Sequence, residues 1–183
     1  MPIRHTRTLS ALAFIAALLG QTPLLAAETP AAEESKVQLS SAEQGRYLSE
    51  LKRLHGTQDE RKALLAQCNQ LLDTYALRAG YQVGQAQRQD LLYQVSVSAP
   101  GELLVREESR AQQGGTSLAV RNQRVAVFGV DPFIRYDCPG GGQTCVLRNP
   151  QDGSPLLTIV RDHAGAAELA KALSYLIRNV QKN

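Results

Sequence analysis

The chain has 183 residues, with 20 lysine and arginine residues against 17 aspartate and glutamate residues, a formal charge of +3. So small an excess excludes a general polyanion binder, because nonspecific binding to nucleic acid or to an anionic membrane surface requires a strong basic excess. We therefore expect no nucleic-acid partner.

The first 27 residues have the three-part layout of a secretory signal peptide. Arg4 and Arg7 precede an apolar run over residues 9–19, and small residues end the segment at Ala27. The run is shorter than the about 20 apolar residues that span a bilayer, which favours cleavage after Ala27 over a membrane anchor. Removal of Arg4 and Arg7 takes the basic residues from 20 to 18, against 17 acidic residues, so the mature chain carries a formal charge of +1.

This signal predicts export, with the periplasm as the destination and secretion beyond it as the alternative. A bacterial source agrees with a composition in which arginine outnumbers lysine and tryptophan is absent. No later segment approaches spanning length, so we expect no membrane span in the mature chain.

The mature chain divides into a leader and one domain. Residues 28–40 are polar and acidic with few large apolar side chains, which predicts a flexible leader. Residues 41–183 are numerous enough for a single globular domain with its own core.

Two helices are predicted at the start of this domain. Ser41 is a suitable N-cap, and apolar residues at three- and four-residue spacing continue to Gly56. Thr57, with Glu60 three residues later, forms a capping box for a second helix that we expect to end at Gly80. The short separation between the two helices predicts a helical hairpin.

Alternating apolar residues after the second helix predict six to seven short strands. The expected turns lie at Pro100 and Gly101, over residues 112–115, over residues 121–124 and over residues 149–154. Such brief connections favour an antiparallel meander.

A last helix, amphipathic and capped by Asp162, is predicted from His163 to about Gln181. The fold class is therefore α+β, with an N-terminal helical hairpin, an antiparallel meander of about six to seven strands and a C-terminal amphipathic helix. The strand count and the closing helix also resemble the architecture of a pleckstrin-homology-like barrel, which is the alternative fold. That resemblance carries no motif residues.

The three cysteines have different predicted states. Cys138 and Cys145 flank a glycine-rich loop, and in an oxidising compartment this arrangement predicts a disulfide. A redox pair would have two residues between the cysteines, beside a helix N-terminus, and zinc needs about four ligands, which these cysteines with His55 and His163 do not supply. Cys68 lies on the apolar stripe of the second helix, which predicts a buried free thiol. We expect neither a metal nor a cofactor.

Arginines at strand or strand-end positions are candidates for contact with an anionic ligand or a partner, because a guanidinium group binds carboxylates and phosphates in a fixed geometry. These candidates are Arg106, Arg121, Arg135, Arg148 and Arg161. Acidic residues are interspersed among them, so a solvated surface of salt bridges is the alternative.

His163 beside Asp162 is a speculative centre for catalysis, as a base with an orienting carboxylate. No nucleophile motif, metalloprotease motif, phosphate loop or dinucleotide fingerprint accompanies the pair. The sequence therefore predicts no catalytic residues.

The leading hypothesis is a periplasmic, non-enzymatic binding or accessory protein that acts on another component of the cell envelope, in the first instance a protein. An export signal, a small domain with a disulfide and the lack of a catalytic motif support it. One alternative is a small periplasmic hydrolase or transferase whose site is assembled only in three dimensions. The other is a carrier of a small apolar ligand, which would need a sizeable apolar cavity.

Overall fold

The structure, a computed structural model, describes residues 41–111 and 117–182. The predicted signal peptide, the predicted leader and the predicted turn over residues 112–115 lie outside the described residues. In chain order the elements are α1 (Ser41–Leu54), α2 (Glu60–Thr74), a short 3-10 helix (Ala79–Tyr81), β1 (Gln89–Ala99), β2 (Glu102–Ala111), β3 (Ser117–Ala126), β4 (Tyr136–Asp137), β5 (Thr144–Arg148), β6 (Pro155–Val160) and α3 (His163–Val180). The α+β class is confirmed.

The strands form two antiparallel sheets, one ordered β1-β2-β3 and the other β4-β5-β6. Residues 127–135 connect β3 to β4 and separate the sheets. Across the described residues, the strands therefore form neither the predicted continuous meander nor a pleckstrin-homology-like barrel.

β3 continues through the turn that the sequence predicted over residues 121–124. It pairs with β2 from Ser117 to Ala126 without a register shift. From residue 117 to residue 124 every side chain is exposed except that of Gln123, which is half-buried. Polar residues on both faces of this strand gave it the composition of a turn, so the two runs that the sequence separated at residues 121–124 belong to one strand, β3.

Ala76 and Leu77 link the two sheets. Ala76 forms an antiparallel bridge to Ile159 of β6, and Leu77 forms one to Leu91 of β1. The amide N–H of Leu91 donates to the carbonyl oxygen of Leu77 at 2.8 Å. This two-residue segment therefore lies between β6 and β1.

The bounds of α2 differ from the prediction at both ends. Its N-cap is Asp59, whose Oδ1 accepts a hydrogen bond from the amide of Lys62 at 3.1 Å, so the capping box predicted at Thr57 is wrong. α2 ends at Thr74 instead of Gly80 because residues 76 and 77 leave the helix to pair with strands.

The hydrophobic core lies where the helices pack on the inner sides of both sheets. Its largest fully buried side chains include Leu64, Leu72, Val95, Leu147, Leu157, Ile159, Leu169, Tyr175, Leu176 and Ile177. α1 contributes Leu48 and Leu51, and its Tyr47 ring lies 5.1 Å from that of Tyr175 in α3. Across the described residues, no helix combines the length and apolar character that crossing a bilayer requires.

The N-terminal turn of α3 lies against the residue that follows α2. A Cβ atom at Gly165 would come within 2.5 Å of Cζ of Tyr75, closer than real Cβ contacts allow. α3 can therefore approach Tyr75 this closely only with glycine at position 165.

We expect Gly165→Ala to lower the free energy of unfolding by about 1–3 kcal/mol, because the added methyl group overlaps the Tyr75 ring, which packs against the core. Gly45→Ala is the control, since nothing lies within 4 Å of a Cβ atom at that exposed position of α1. It should raise the free energy of unfolding by about 0.5–1 kcal/mol through helix propensity. Urea unfolding measures both, and a shift of the same sign in the two variants would contradict the Tyr75–Gly165 contact.

Candidate functional site

The first sheet, β1-β2-β3, has one face against the core and one face in solvent. Val95, Leu103, Val105 and Val125 are buried on the inner face. Because side chains alternate along a strand, the even-numbered residues of β2 and β3 project to the opposite face, which we call the outer face.

Aliphatic side chains lie on the outer face. Leu118 and Val120 of β3 are 58% and 47% exposed, and Leu92 and Leu104 are half-buried. Val120 pairs with Glu108 of β2, which in turn pairs with Leu92 of β1. The end of the sheet near Leu118 and Val120 thus presents apolar surface to solvent.

A row of alternating charges runs along β2 on the same face. Glu108 forms ion pairs with Arg106 and Arg110, and Arg110 Nη2 donates to Glu108 Oε2 at 3.0 Å. The hydrogen bond from Arg110, assisted by the charge of Arg106, holds the pKa of the Glu108 carboxyl below its usual range. Glu108 therefore remains charged and partly neutralises the two arginines beside it on β2.

On the inner face a polar cluster continues beyond the apolar core. Arg121 Nη2 donates to Glu107 Oε2 at 2.9 Å, and Glu107 accepts a hydrogen bond from Tyr93. Burial and the Glu107 carboxylate raise the pKa of the Tyr93 phenol above its ordinary value, although contact with Thr158 of β6 opposes that rise. Glu107 and Tyr93 are thus held on the inner face, while the Arg121 side chain remains 64% exposed.

The backbone of β3 has a free edge, and the hydrogen bonds of β1 show which groups point toward it. Outward from β1, the Val95 amide donates to Asn69 Oδ1 at 2.8 Å, and Asn69 Nδ2 donates to Val95 O at 3.0 Å. Odd-numbered residues of β1 therefore turn their backbone groups away from β2. Val105, opposite Val95, therefore turns its backbone groups toward β3, where they bond to Gln123. Because the direction alternates from one residue to the next, odd-numbered residues of β3 bond to β2 and even-numbered residues face away from it.

The outward-facing backbone groups belong to Leu118, Val120, Asn122 and Arg124. In the part of the chain that the structure describes, none of them pairs with a further strand. The side chain of Asn69 and the bridge at Leu77 cover the corresponding edge of β1. Among the described strands, β3 is thus the open side of this sheet.

The five candidate arginines do not lie on one face. Arg106 lies on the outer face and Arg121 on the inner face of the first sheet. Arg148 pairs with Asp137 in the second sheet at 3.6 Å, and Arg161 Nε donates to Pro139 O at 3.1 Å. Arg135 is exposed in the connection before β4.

Two arginines that the sequence interpretation did not single out lie on the outer face with Arg106. They are Arg110 of β2 and Arg124 of β3. For Arg110, the even spacing from Arg106 along β2 was the available sequence signal that the two share a face. For Arg124 that signal was hidden because the strand was interpreted as a turn.

Asp162 and His163 are adjacent at the start of α3, but their side chains have different partners. Asp162 Oδ1 accepts from the amide of Gly165 at 2.7 Å, as the N-cap of the helix. His163 is exposed, and its Nε2 lies 3.4 Å from Nη2 of Arg161. The Asp162 carboxylate therefore caps α3, and the His163 imidazole lies beside the Arg161 guanidinium.

Cys138 and Cys145 form a disulfide, with their Cα atoms 4.2 Å apart. The bridge joins the chain after β4 to the start of β5 and closes the loop that contains Gly140. Cys68 is a free thiol that is fully buried in α2, and burial raises its pKa.

A surface depression lies where the N-terminal end of α2 meets the C-terminal end of α3. It is lined by Asp59, Glu60, Arg61 and Asn179, and Arg61 Nε donates to Asn179 Oδ1 at 3.0 Å. This lining is polar and charged, unlike the apolar cavity that a carrier of an apolar ligand needs. Within residues 41–111 and 117–182, no group of three or more His, Cys, Asp and Glu side chains is placed to hold a metal ion.

No protein-family model, curated protein or solved structure matches this chain. Its residues and their geometry are therefore the guides to its function.

We expect iodoacetamide to alkylate no cysteine of the native protein, one cysteine after denaturation and all 3 after denaturation with reduction. Burial keeps Cys68 protonated and inaccessible, and the disulfide protects the other two sulfurs. Intact mass measures the number of adducts. Rapid alkylation of the native protein at Cys68 would contradict its burial.

We expect Asp162→Ala to lower the free energy of unfolding by about 1 kcal/mol, because the first turn of α3 loses its N-cap. Asp162→Asn keeps an oxygen that accepts the Gly165 hydrogen bond and should change stability little. Urea unfolding measures both variants, with His163→Ala as the exposed control. Equal losses for alanine and asparagine would show that the negative charge matters more than the cap.

Proposed function

We propose that this chain is an exported, non-enzymatic binding protein that acts on another polypeptide of the cell envelope. The contact surface is the outer face of the first sheet together with the free edge of β3. The predicted signal peptide supports export to the periplasm, and the Cys138–Cys145 disulfide fits an oxidising compartment.

The observation that carries this proposal is the exposure of β3. It is a strand of ten residues that contains no proline, and its pairing with β2 has no bulge. Long edge strands are usually shortened, bulged, covered or interrupted by proline, because an open edge pairs with other chains. Leu118 and Val120 add exposed aliphatic surface to this open edge. A surface of this kind is suited to a polypeptide partner.

The enzymatic alternative has weaker support. Its speculative centre requires Asp162 to orient His163, and Asp162 instead caps α3. The imidazole nitrogen Nε2 of His163 lies 3.4 Å from Nη2 of Arg161, so the two neighbours do not form the base and orienting carboxylate that this alternative requires.

Site-specific photo-crosslinking in cells that produce the full chain tests the proposed function. A benzophenone amino acid replaces Val120, and a matched variant carries it at Glu50, an exposed position of α1. We expect position 120 to form a discrete adduct with a polypeptide that mass spectrometry identifies and that binds the purified protein. Position 50 should not form this adduct.

Leu118→Lys provides a second control, because it places a charge on the exposed aliphatic surface without touching the core. We expect it to reduce the adduct at position 120 at least severalfold, with an unchanged thermal unfolding midpoint. Identical adducts at positions 120 and 50, or no adduct at position 120, would overturn the proposed function. Turnover in an activity screen that His163→Ala abolishes would support the enzymatic alternative instead.

A further inference from the structure

Building on the proposed function, we infer that β3 accepts an extended, acidic segment of the partner polypeptide as a fourth strand of the first sheet. Three features of β3 favour this mode of binding: its backbone groups, its charge and the position of its aliphatic side chains.

The backbone of β3 provides a row of hydrogen-bonding groups that no other described strand uses. The N–H and C=O groups of Leu118, Val120, Asn122 and Arg124 face the free edge. An added strand would bond to these groups as β2 bonds to the other side, and such main-chain bonds bind extended peptides in many complexes. At the opposite edge of the sheet this mode is prevented, because Asn69 bonds to both backbone groups of Val95.

The charge of β3 favours an acidic partner. The strand contains Arg121 and Arg124 and no acidic residue. These arginine side chains are 64% and 75% exposed, whereas their carboxylate partners on β2, Glu107 and Glu102, are 18% and 29% exposed. The two arginine side chains thus face solvent beside the free edge, and their carboxylate partners lie on β2, the central strand.

A second copy of this chain is disfavoured as the occupant for the same reason. Pairing of two β3 strands would bring two cationic edges together without an intervening carboxylate. Like charges opposed across a strand pair destabilise it. An incoming strand with its own carboxylates would instead place an acid beside each arginine, as Glu108 lies between Arg106 and Arg110 in β2.

The aliphatic side chains define the rest of the pattern. Leu118 and Val120 project to the outer face, Arg121 projects to the inner face and Arg124 to the outer face. Directly opposite residues of an antiparallel partner would be apolar at the first two positions and acidic at the last two. Written from its N-terminus, the matching probe is the capped peptide Glu-Thr-Thr-Glu-Val-Thr-Val.

The test combines a titration of the purified protein with this peptide and amide hydrogen exchange measured by NMR. In the free protein, we expect fast exchange at the even-numbered amides from 118 to 124 and slow exchange at the odd-numbered amides from 119 to 125. Saturation with the peptide should slow exchange at the even-numbered amides. The same peptide with glutamine at both acidic positions should bind about tenfold more weakly, as expected for two exposed ion pairs.

Asn122→Pro is the most specific variant. It removes one N–H group that faces the free edge and leaves the ladder to β2 intact, and proline is tolerated on edge strands. We expect loss of peptide binding while the odd-numbered amides of β3 stay protected. As a charge test, the double variant Arg121→Gln and Arg124→Gln should weaken binding about tenfold. Its control, Arg46→Gln with Arg53→Gln on the exposed side of α1, should not.

Each other outcome overturns the inference in a distinguishable way. Peptide binding that survives Asn122→Pro, or that protects other amides, would show a different binding mode. No peptide binding together with a persistent photo-adduct at position 120 would overturn strand addition while the proposed function stands. Protection of the even-numbered amides that rises with protein concentration, without peptide, would identify a second copy as the occupant.

Discussion

The structure depends on the three residues that follow α2. The carbonyl oxygen of Tyr75 accepts from the amide of Val160 at 2.9 Å, Ala76 and Leu77 bridge to β6 and β1, and the Tyr75 ring packs on α3. One short segment therefore ends a helix, joins two sheets and positions the helix that closes the core. Because these contacts use backbone groups, the side chains of Ala76 and Leu77 remain available for burial, and both are buried.

This junction also helps to cover one side of the first sheet. β1 is covered along its outer edge by Leu77 and by the Asn69 amide, whereas no described strand follows β3. The inner face of the sheet is anchored in the core by Val95, Val105 and Val125. In the proposed strand addition, anchoring of the sheet would hold the edge groups of β3 in place before binding, which lowers the entropic cost.

The α+β class and the helical bounds of α3 were predictable, because long periodic segments and a capping aspartate are local signals. The end of α2 was not, since the residues from Ala76 to Gly80 are compatible with a helix and only pairing with β6 and β1 withdraws them from it. β3 was misinterpreted for a related reason. Period-two alternation requires one buried face, and residues 117–124 have none.

The sequence by itself determined the elements in which apolar residues recur at helical or strand spacing. It also determined the N-cap at Asp162 and the cysteine positions that allow a disulfide. It also predicted export of the chain and showed that basic and acidic residues are nearly equal in number. Only the tertiary structure decided which arginines share a face, which carboxylates turn inward and which strand edge stays open. Those properties depend on register and on contacts between residues distant in sequence, so no local pattern encodes them.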